Sequence, residues 1–252
     1  MEIDLRDQAL PEDTTGLLEG LVSTRAIRLY HDEPIPKEVL RTVCFAATRA
    51  PSDSNRQSFR FLVLADGPKA AKAKVLIAAA AQQIWAFKRE AEGYTSGSGH
   101  DETTPKGRMN RTMERYIENL DRAPAIILPC VKLSGEVSFL DGASVFPASQ
   151  NLLLAARALG YGGVMTTWHL WAEAELRALL EVPDDVYIAA TITLGRPLGH
   201  HGPVRRRPLP ELIFEDSWGE TADWVVDPPG TTHTGHAPKR PTMKPTVPGG
   251  ER

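Results

Sequence analysis

The chain has 252 residues, 42% of them hydrophobic and 24% charged, with a formal net charge of −3. This is ordinary globular composition, and the charge balance gives no reason to expect a nucleic-acid or membrane partner. A chain of this length buries roughly 70–75% of the surface its unfolded form exposes, so a full core is within reach. The start, Met1 to Asp7, is acidic and lacks an apolar signal core. No segment offers the ~20 apolar residues of a membrane span. Cys44 and Cys130 lie far apart in apolar runs with no partner motif. They read as reduced core residues, in keeping with a cytoplasmic protein.

Residues 1–15 form a polar N-terminal extension, residues 16–226 one domain, and residues 227–252 a tail rich in Pro, Gly, Thr, His and Lys. The tail cannot bury enough apolar surface to offset chain entropy, and is expected to be disordered. Within the domain, Gly16 to Thr24 reads as a short helix with Leu17, Leu18, Leu21 and Val22 on one apolar face. Lys37 to Arg49 is a second helix, ended by Pro51. Ser52, Asp53, Ser54 and Asn55 can bond nearby backbone and hold a turn, and Phe59–Ala65 then reads as a strand. Lys69 to Ala91 is a long alanine-rich helix.

Residues 92–108 are polar and glycine-containing, and read as a mobile surface loop, a lid or an insert. Met109 to Leu120 is a short helix. Ala123 to Leu133 is a buried strand by its continuous apolar run. Asp141 to Leu159 is a strong helix ended by Gly160-Tyr161-Gly162-Gly163. Val164–Trp168 is a short extended piece, Glu173 to Leu180 a helix, and Val186 to Leu194 a single clear strand. Strands separated by helices give an α+β fold with a mixed central sheet flanked by helices. The glycines at 160–163 follow a helix rather than a strand, which disfavours a Rossmann dinucleotide site.

Two basic clusters stand out. Arg25 and Arg28 are three residues apart, so on one helical turn they would share a face, and paired guanidinium forks suit phosphate oxygens. Arg205-Arg206-Arg207 is bounded by Pro203 and Pro208. Either cluster alone could be a solvated face. The carboxamides of Asn55 and Gln57 offer polar edges to a flat ligand, though by spacing alone an ordinary helix–turn–strand connection is the plainer reading of the stretch. The histidines show no zinc-ligand spacing, no G-x-S-x-G elbow exists, and Trp168 and Trp171 read as core aromatics.

Several motifs occur in a set order: Thr24-Arg25-Ala26-Ile27-Arg28-Leu29-Tyr30, then Pro34-Ile35-Pro36, then the stretch from Ala50 to Phe61. Gln150 to Gly162, Leu194-Gly195-Arg196-Pro197 and Arg205-Arg206-Arg207-Pro208-Leu209 follow. In this order they resemble the nitroreductase family of FMN enzymes, over roughly Gly16 to Trp218. The resemblance implies an obligate homodimer with FMN at the interface. It implies that Arg25 and Arg28 hold the phosphate and ribityl chain, with Ala26 and Ile27 contributing backbone. Pro51, Ser52, Asn55 and Gln57 would line the flavin, some of them from the partner subunit. Met165, Thr166 and Thr167 would bring a backbone N–H to the ring near N5, and Arg206 or its neighbour Arg205 would close on the phosphate.

The implied reaction is hydride transfer from NAD(P)H through FMN to an electron-poor small molecule, a nitroaromatic or quinone, with no indispensable acid–base residue and no metal. Reductive dehalogenation, enone reduction and flavin cleavage are the alternatives within the wider superfamily. A flavin-binding protein without turnover is the alternative outside enzymology. The chain departs from the family pattern in its first motif. Where an Arg-Arg-Ser-x-Arg run is usual, it has Thr24-Arg25-Ala26-Ile27-Arg28, one arginine and one serine short.

Overall fold

The computed structural model describes residues 15–234. The expectations for residues 1–14 and 235–252 lie outside the described residues. Six helices and five strands follow in the order α1 (Leu17–Ser23), α2 (Lys37–Ala47), β1 (Phe59–Leu64), α3 (Pro68–Ala91), α4 (Pro105–Glu118), β2 (Ala125–Lys132), α5 (Gly142–Ala158), β3 (Gly162–Thr166), α6 (Glu173–Leu180), β4 (Val186–Ile188) and β5 (Thr191–Gly195).

β2 is the centre of the molecule. Its apolar run is buried along all but its last residue, and successive side chains serve opposite faces. Ile126, Leu128 and Cys130 join the core built with α3, α4 and α6, whereas Ala125 and Ile127 join the core built with α2 and α5. The sheet therefore carries helices on both faces, as expected. Its order is β1-β2-β5-β3, with β4 also on β2. The expectation of a mixed sheet is corrected in one respect: every pairing is antiparallel.

The single strand expected over Val186–Leu194 is two. Cys130 faces Ile188 and Ile127 faces Ile192. Two β2 residues thus oppose three on the other side, which is a β-bulge. Its cause is Pro129, which has no N–H to give the ladder. The bond that remains there runs from Ala189 N–H to Pro129 O at 2.8 Å.

Three other expectations change. α4 begins at Pro105, not Met109, because Thr104 caps it by accepting from Gly107 N–H at 3.0 Å and proline suits the first helical position. Residues 92–104 form turns rather than a long irregular loop, packed so closely that a Cβ on Gly99 would lie 2.5 Å from Tyr94 O. The first residues of the expected tail are pinned, since Thr234 N–H donates to Arg206 O at 3.0 Å. α1 forms where expected, but its apolar face is not covered by its own chain: Leu17, Leu18, Leu21 and Val22 are exposed. No helix among the described residues is long and apolar enough to cross a membrane.

Candidate active site

The segment from Thr24 to Leu29 is not helical, and the chain turns extended at Thr24. This overturns the shared face expected for Arg25 and Arg28. Ile27 turns inward between them, buried against Gly162, and its N–H donates to Gly163 O at 3.0 Å. The segment can lie this close because β3 opens with two glycines. A Cβ on Gly162 would come within 2.6 Å of Ile27 Cγ1. The arginines consequently enter different compartments.

Arg28 enters a cavity of about 480 Å³. Met165, Thr166 and Thr167, at the end of β3, form one wall, and the bulge residues Ala189 and Ala190 form part of another. Trp85, Tyr94, Met109, Met113, Phe146 and Trp168 supply an aromatic and thioether surface, with Lys88 and Glu92 as its other charged groups. β3 is an edge strand, so alternate N–H groups near Met165–Thr167 face away from β5. Two donors here are buried without an acceptor, Arg28 Nε and Trp85 Nε1. Trp168 Nε1 closes no hydrogen bond either, although it lies near enough to Tyr116 to favour the phenolate slightly. Buried donors of this kind are costly unless a ligand or water meets them.

Behind this wall runs a buried polar chain. Thr193 Oγ1 lies 2.8 Å from Tyr30 Oη and 3.0 Å from Tyr116 Oη. Burial pushes the Tyr116 phenol up to about 12, against the Thr193 hydrogen bond and the weaker pull of Arg28. Thr166 Oγ1–H donates to Thr191 O at 3.1 Å, which fixes the end of β3. These phenols are neutral donors and positioners, not acids that titrate near neutral pH.

Arg25 enters a second compartment of about 210 Å³, with Arg157, His200, His201, Gly162 and Gly163 in its lining. Arg25 donates to Gly202 O at 3.4 Å, and Val204 N–H to Val22 O at 3.2 Å. The chain leading to the arginine triplet is thereby laid alongside the segment before Arg25. Within the triplet, Arg207 is paired with Glu211, whereas Arg205 and Arg206 have no carboxylate partner among the described residues and are exposed. Ala26 is exposed beside them.

Pro51, Ser52, Asn55 and Gln57 line neither compartment. They form an exposed turn held by Gln57 N–H donating to Ser52 Oγ at 2.9 Å and by Asp53 N–H donating to Ser144 Oγ at 3.3 Å. Ser54, Asn55 and Gln57 have φ of 46°, 55° and 51°. Three left-handed residues other than glycine within four positions is a strained presentation of polar groups to solvent. Within one chain, then, Arg28 meets Met165–Thr167, Arg25 nears the triplet, and the carboxamide turn stays apart. The residues read as core or passed over in the sequence, Trp85, Lys88, Met109, Met113, Phe146 and Trp168, complete the larger cavity.

The model of the nitroreductase family matches residues 21–196. An NADH dehydrogenase of Thermus thermophilus is 28% identical over 203 residues, 75% of this chain and 91% of that one. Iodotyrosine deiodinase 1 of Rattus norvegicus is 28% identical over 186 residues, 71% of this chain and 61% of that one. Among solved structures, a Desulfovibrio desulfuricans protein described as a nitroreductase, in complex with FMN, is 28% identical with a TM-score of 0.58, covering 81% of this chain and 98% of that one. The family match spans most of the chain, and the described sheet and helices agree with it: the chain belongs to the nitroreductase family.

Proposed function

We propose that the chain is an FMN-dependent oxidoreductase, working as a homodimer, that passes hydride equivalents from NAD(P)H to an electron-poor acceptor such as a nitroaromatic or a quinone. The observation that carries this is the 480 Å³ cavity, where Arg28 and the Met165–Thr167 end of edge strand β3 meet an aromatic-walled space. A flat ring edged with carbonyl and imine acceptors fits a cavity that pairs a guanidinium with an unpaired strand edge. The Desulfovibrio relative is solved with FMN, and the Thermus relative is named an NADH dehydrogenase.

Bound FMN would supply the redox chemistry, accepting hydride from the nicotinamide and giving electrons to the acceptor. The protein's part is binding and polarisation. Arg28 would set a fixed positive charge against the pyrimidine edge of the ring. A β3 N–H between Met165 and Thr167 would donate to the ring, its position fixed by the Thr166–Thr191 bond. Arg25, with Arg205 or Arg206, would take the phosphate. Trp85, Tyr94 and Phe146 would exclude water and offer a surface on which a planar acceptor stacks.

The carboxamide turn would come from a second copy. Support for association comes from the exposed apolar face of α1 and from exposed Phe139, Leu140, Trp218 and Trp224, large side chains that a second copy would cover. Purified protein should be yellow, release FMN on denaturation, and be bleached anaerobically by NADH or NADPH. A colourless protein that takes up no added FMN would refute the proposal. A second reading, reductive dehalogenation of a halogenated aromatic, is favoured by the similarity to iodotyrosine deiodinase. Turnover of halophenols but not nitroaromatics by the reduced protein would select it.

A further inference from the structure

Arg28 borders two compartments: the 480 Å³ cavity and a separate groove of about 160 Å³. It is the one lining residue that the two share. The groove runs between the segment from Leu29 to Asp32 and the end of α4. Its edges are fixed by backbone, His31 N–H donating to Arg196 O at 3.0 Å and Leu198 N–H to Leu29 O at 2.9 Å. An ion pair between Arg122 and Asp32 ties one wall to the other.

The charges in the groove do not cancel. Arg122 is engaged by Asp32, the only carboxylate in the lining. Arg28 and Arg115 have no carboxylate partner among the described residues, so two positive charges remain. On α4 this sets Arg115 apart, since Arg108 donates to Thr103 O and Arg111 pairs with Glu102. Two unneutralised guanidiniums on one groove repel unless an anion joins them, and their planar forks match carboxylate oxygens. Tyr30 Oη and Tyr116 Oη are already committed to Thr193, which leaves the guanidiniums as the donors. Ala123, Pro124 and Leu198 add apolar wall that suits a short hydrocarbon spine. The volume suits it too, since an enclosed cavity of about 150 Å³ holds a molecule the size of benzene. We propose that this groove is a binding site for a compact dianion, a short-chain dicarboxylate held by Arg28 and Arg115, and that its occupancy is coupled through Arg28 to the flavin of the neighbouring cavity.

Arg28 acts on both sides. Burial raises the pKa of Tyr30 and Tyr116, which line the groove, and of Tyr94, which lines the cavity, and the charge of Arg28 opposes the rise in all three. A dicarboxylate that engages this guanidinium withdraws it from a ring in the cavity, and by linkage a ring weakens the dicarboxylate equally. The binding site stands on the groove alone, whereas the coupling rests on the FMN reading above.

The test measures succinate binding to the purified protein, with whatever flavin it carries, by titration calorimetry at constant ionic strength. The proteins are the wild type, Arg115→Gln, and Arg108→Gln, a control that loses the same charge from the same helix outside the groove. Succinate should bind the wild type and Arg108→Gln alike, and Arg115→Gln roughly tenfold more weakly, as for one lost charge-assisted bond. Succinamide, which has the same spine and no charge, should not bind. In a second measurement, saturating succinate should lower FMN affinity by about fivefold or more in the wild type and in Arg108→Gln, and far less in Arg115→Gln.

Equal succinate affinity in all three proteins, or no binding to the wild type, overturns the site. Inorganic phosphate binding more tightly than succinate overturns the dicarboxylate assignment. If succinate binds through Arg115 and FMN affinity does not respond, the coupling is overturned. A wild type that binds no FMN refutes the FMN reading, and the calorimetry still decides the groove. Should Arg115→Gln fail to fold, Arg115→Lys, which keeps the charge and loses the fork, takes its place with a weakening in the same direction.

Discussion

His169 Nδ1 lies 2.9 Å from Thr191 Oγ1, and burial keeps this fully enclosed imidazole neutral near pH 7. Ile188 O, 3.1 Å from His169 Nε2, can only accept, so in the neutral ring Nε2 carries the proton and Nδ1 accepts from the threonine hydroxyl. The neutral ring thus ties both ends of the β-bulge, and through Thr191 O the same residue holds Thr166 at the cavity wall. Burial, partly offset by the Ile188 bond, lowers the His169 pKa to about 4.

The first prediction concerns that pKa. An unfolded imidazole takes a proton near pH 6.5, whereas the folded one does so only near pH 4. Between these values the unfolded state binds more protons, so this contribution is fully present above pH 6.5 and is lost as pH falls to 4. The loss is on the order of 3 kcal/mol. Urea unfolding of the wild type and His169→Gln at pH 7, 5.5 and 4.5 should show a steep decline in the parent and a shallower one in the variant. Equal slopes would mean that another group governs the acid limb.

The second prediction concerns the shared hydroxyl of Thr193. Thr193→Val keeps the shape and removes the partner of both Tyr30 and Tyr116. Tyr30 retains Ile27 O at 2.5 Å, but Tyr116 is left buried with a poorly satisfied hydroxyl. The expected cost is about 1–3 kcal/mol, and adding Tyr116→Phe should recover part of it. A purely additive double variant would show that the two groups do not interact.

The third prediction tests the glycine cradle. A Cβ on Gly163 would stand 2.4 Å from Thr193 O, a backbone atom that cannot step aside. Gly163→Ala should part β3 from β5, cost about 1–3 kcal/mol, and weaken FMN retention through displaced Met165–Thr167. Gly202→Ala, with nothing within 4 Å, is the control and should change neither melting temperature nor flavin content. An intact flavin site in Gly163→Ala would show that β3 tolerates the shift.

These residues also show how much of the molecule could be read in advance. The continuous apolar run of β2, the helix pattern of α5 and the glycines after it carry their own structural meaning, because burial and backbone freedom are local properties of residue type. The bulge opposite Pro129 was not legible, since it depends on which β2 residue meets which partner. The divergence of Arg25 from Arg28 depends on Gly162 admitting Ile27, a contact between residues more than a hundred positions apart. Trp85, Lys88, Met109 and Met113 recur at helical spacing, and in sequence that pattern is indistinguishable from a core stripe. The order of motifs pointed to Arg28 and Met165–Thr167 as one site, and the cavity unites them.

The last prediction asks which chain completes the site. The turn carrying Asn55 and Gln57 lies outside the cavity that holds Arg28, and its left-handed residues hold its amides out to solvent. If those amides serve the flavin of a second copy, Arg28→Gln and Asn55→Ala/Gln57→Ala damage the same composite site from opposite subunits. Each homodimer should retain little FMN. A heterodimer of the two, isolated with different affinity tags, pairs both lesions in one site and leaves the other wholly native. It should bind about one FMN per dimer at wild-type affinity, in line with separated, non-coupled sites. Were both groups to serve the flavin of their own chain, every site in the heterodimer would carry one lesion and no native-affinity site would appear. Flavin titration of the heterodimer distinguishes the two arrangements directly.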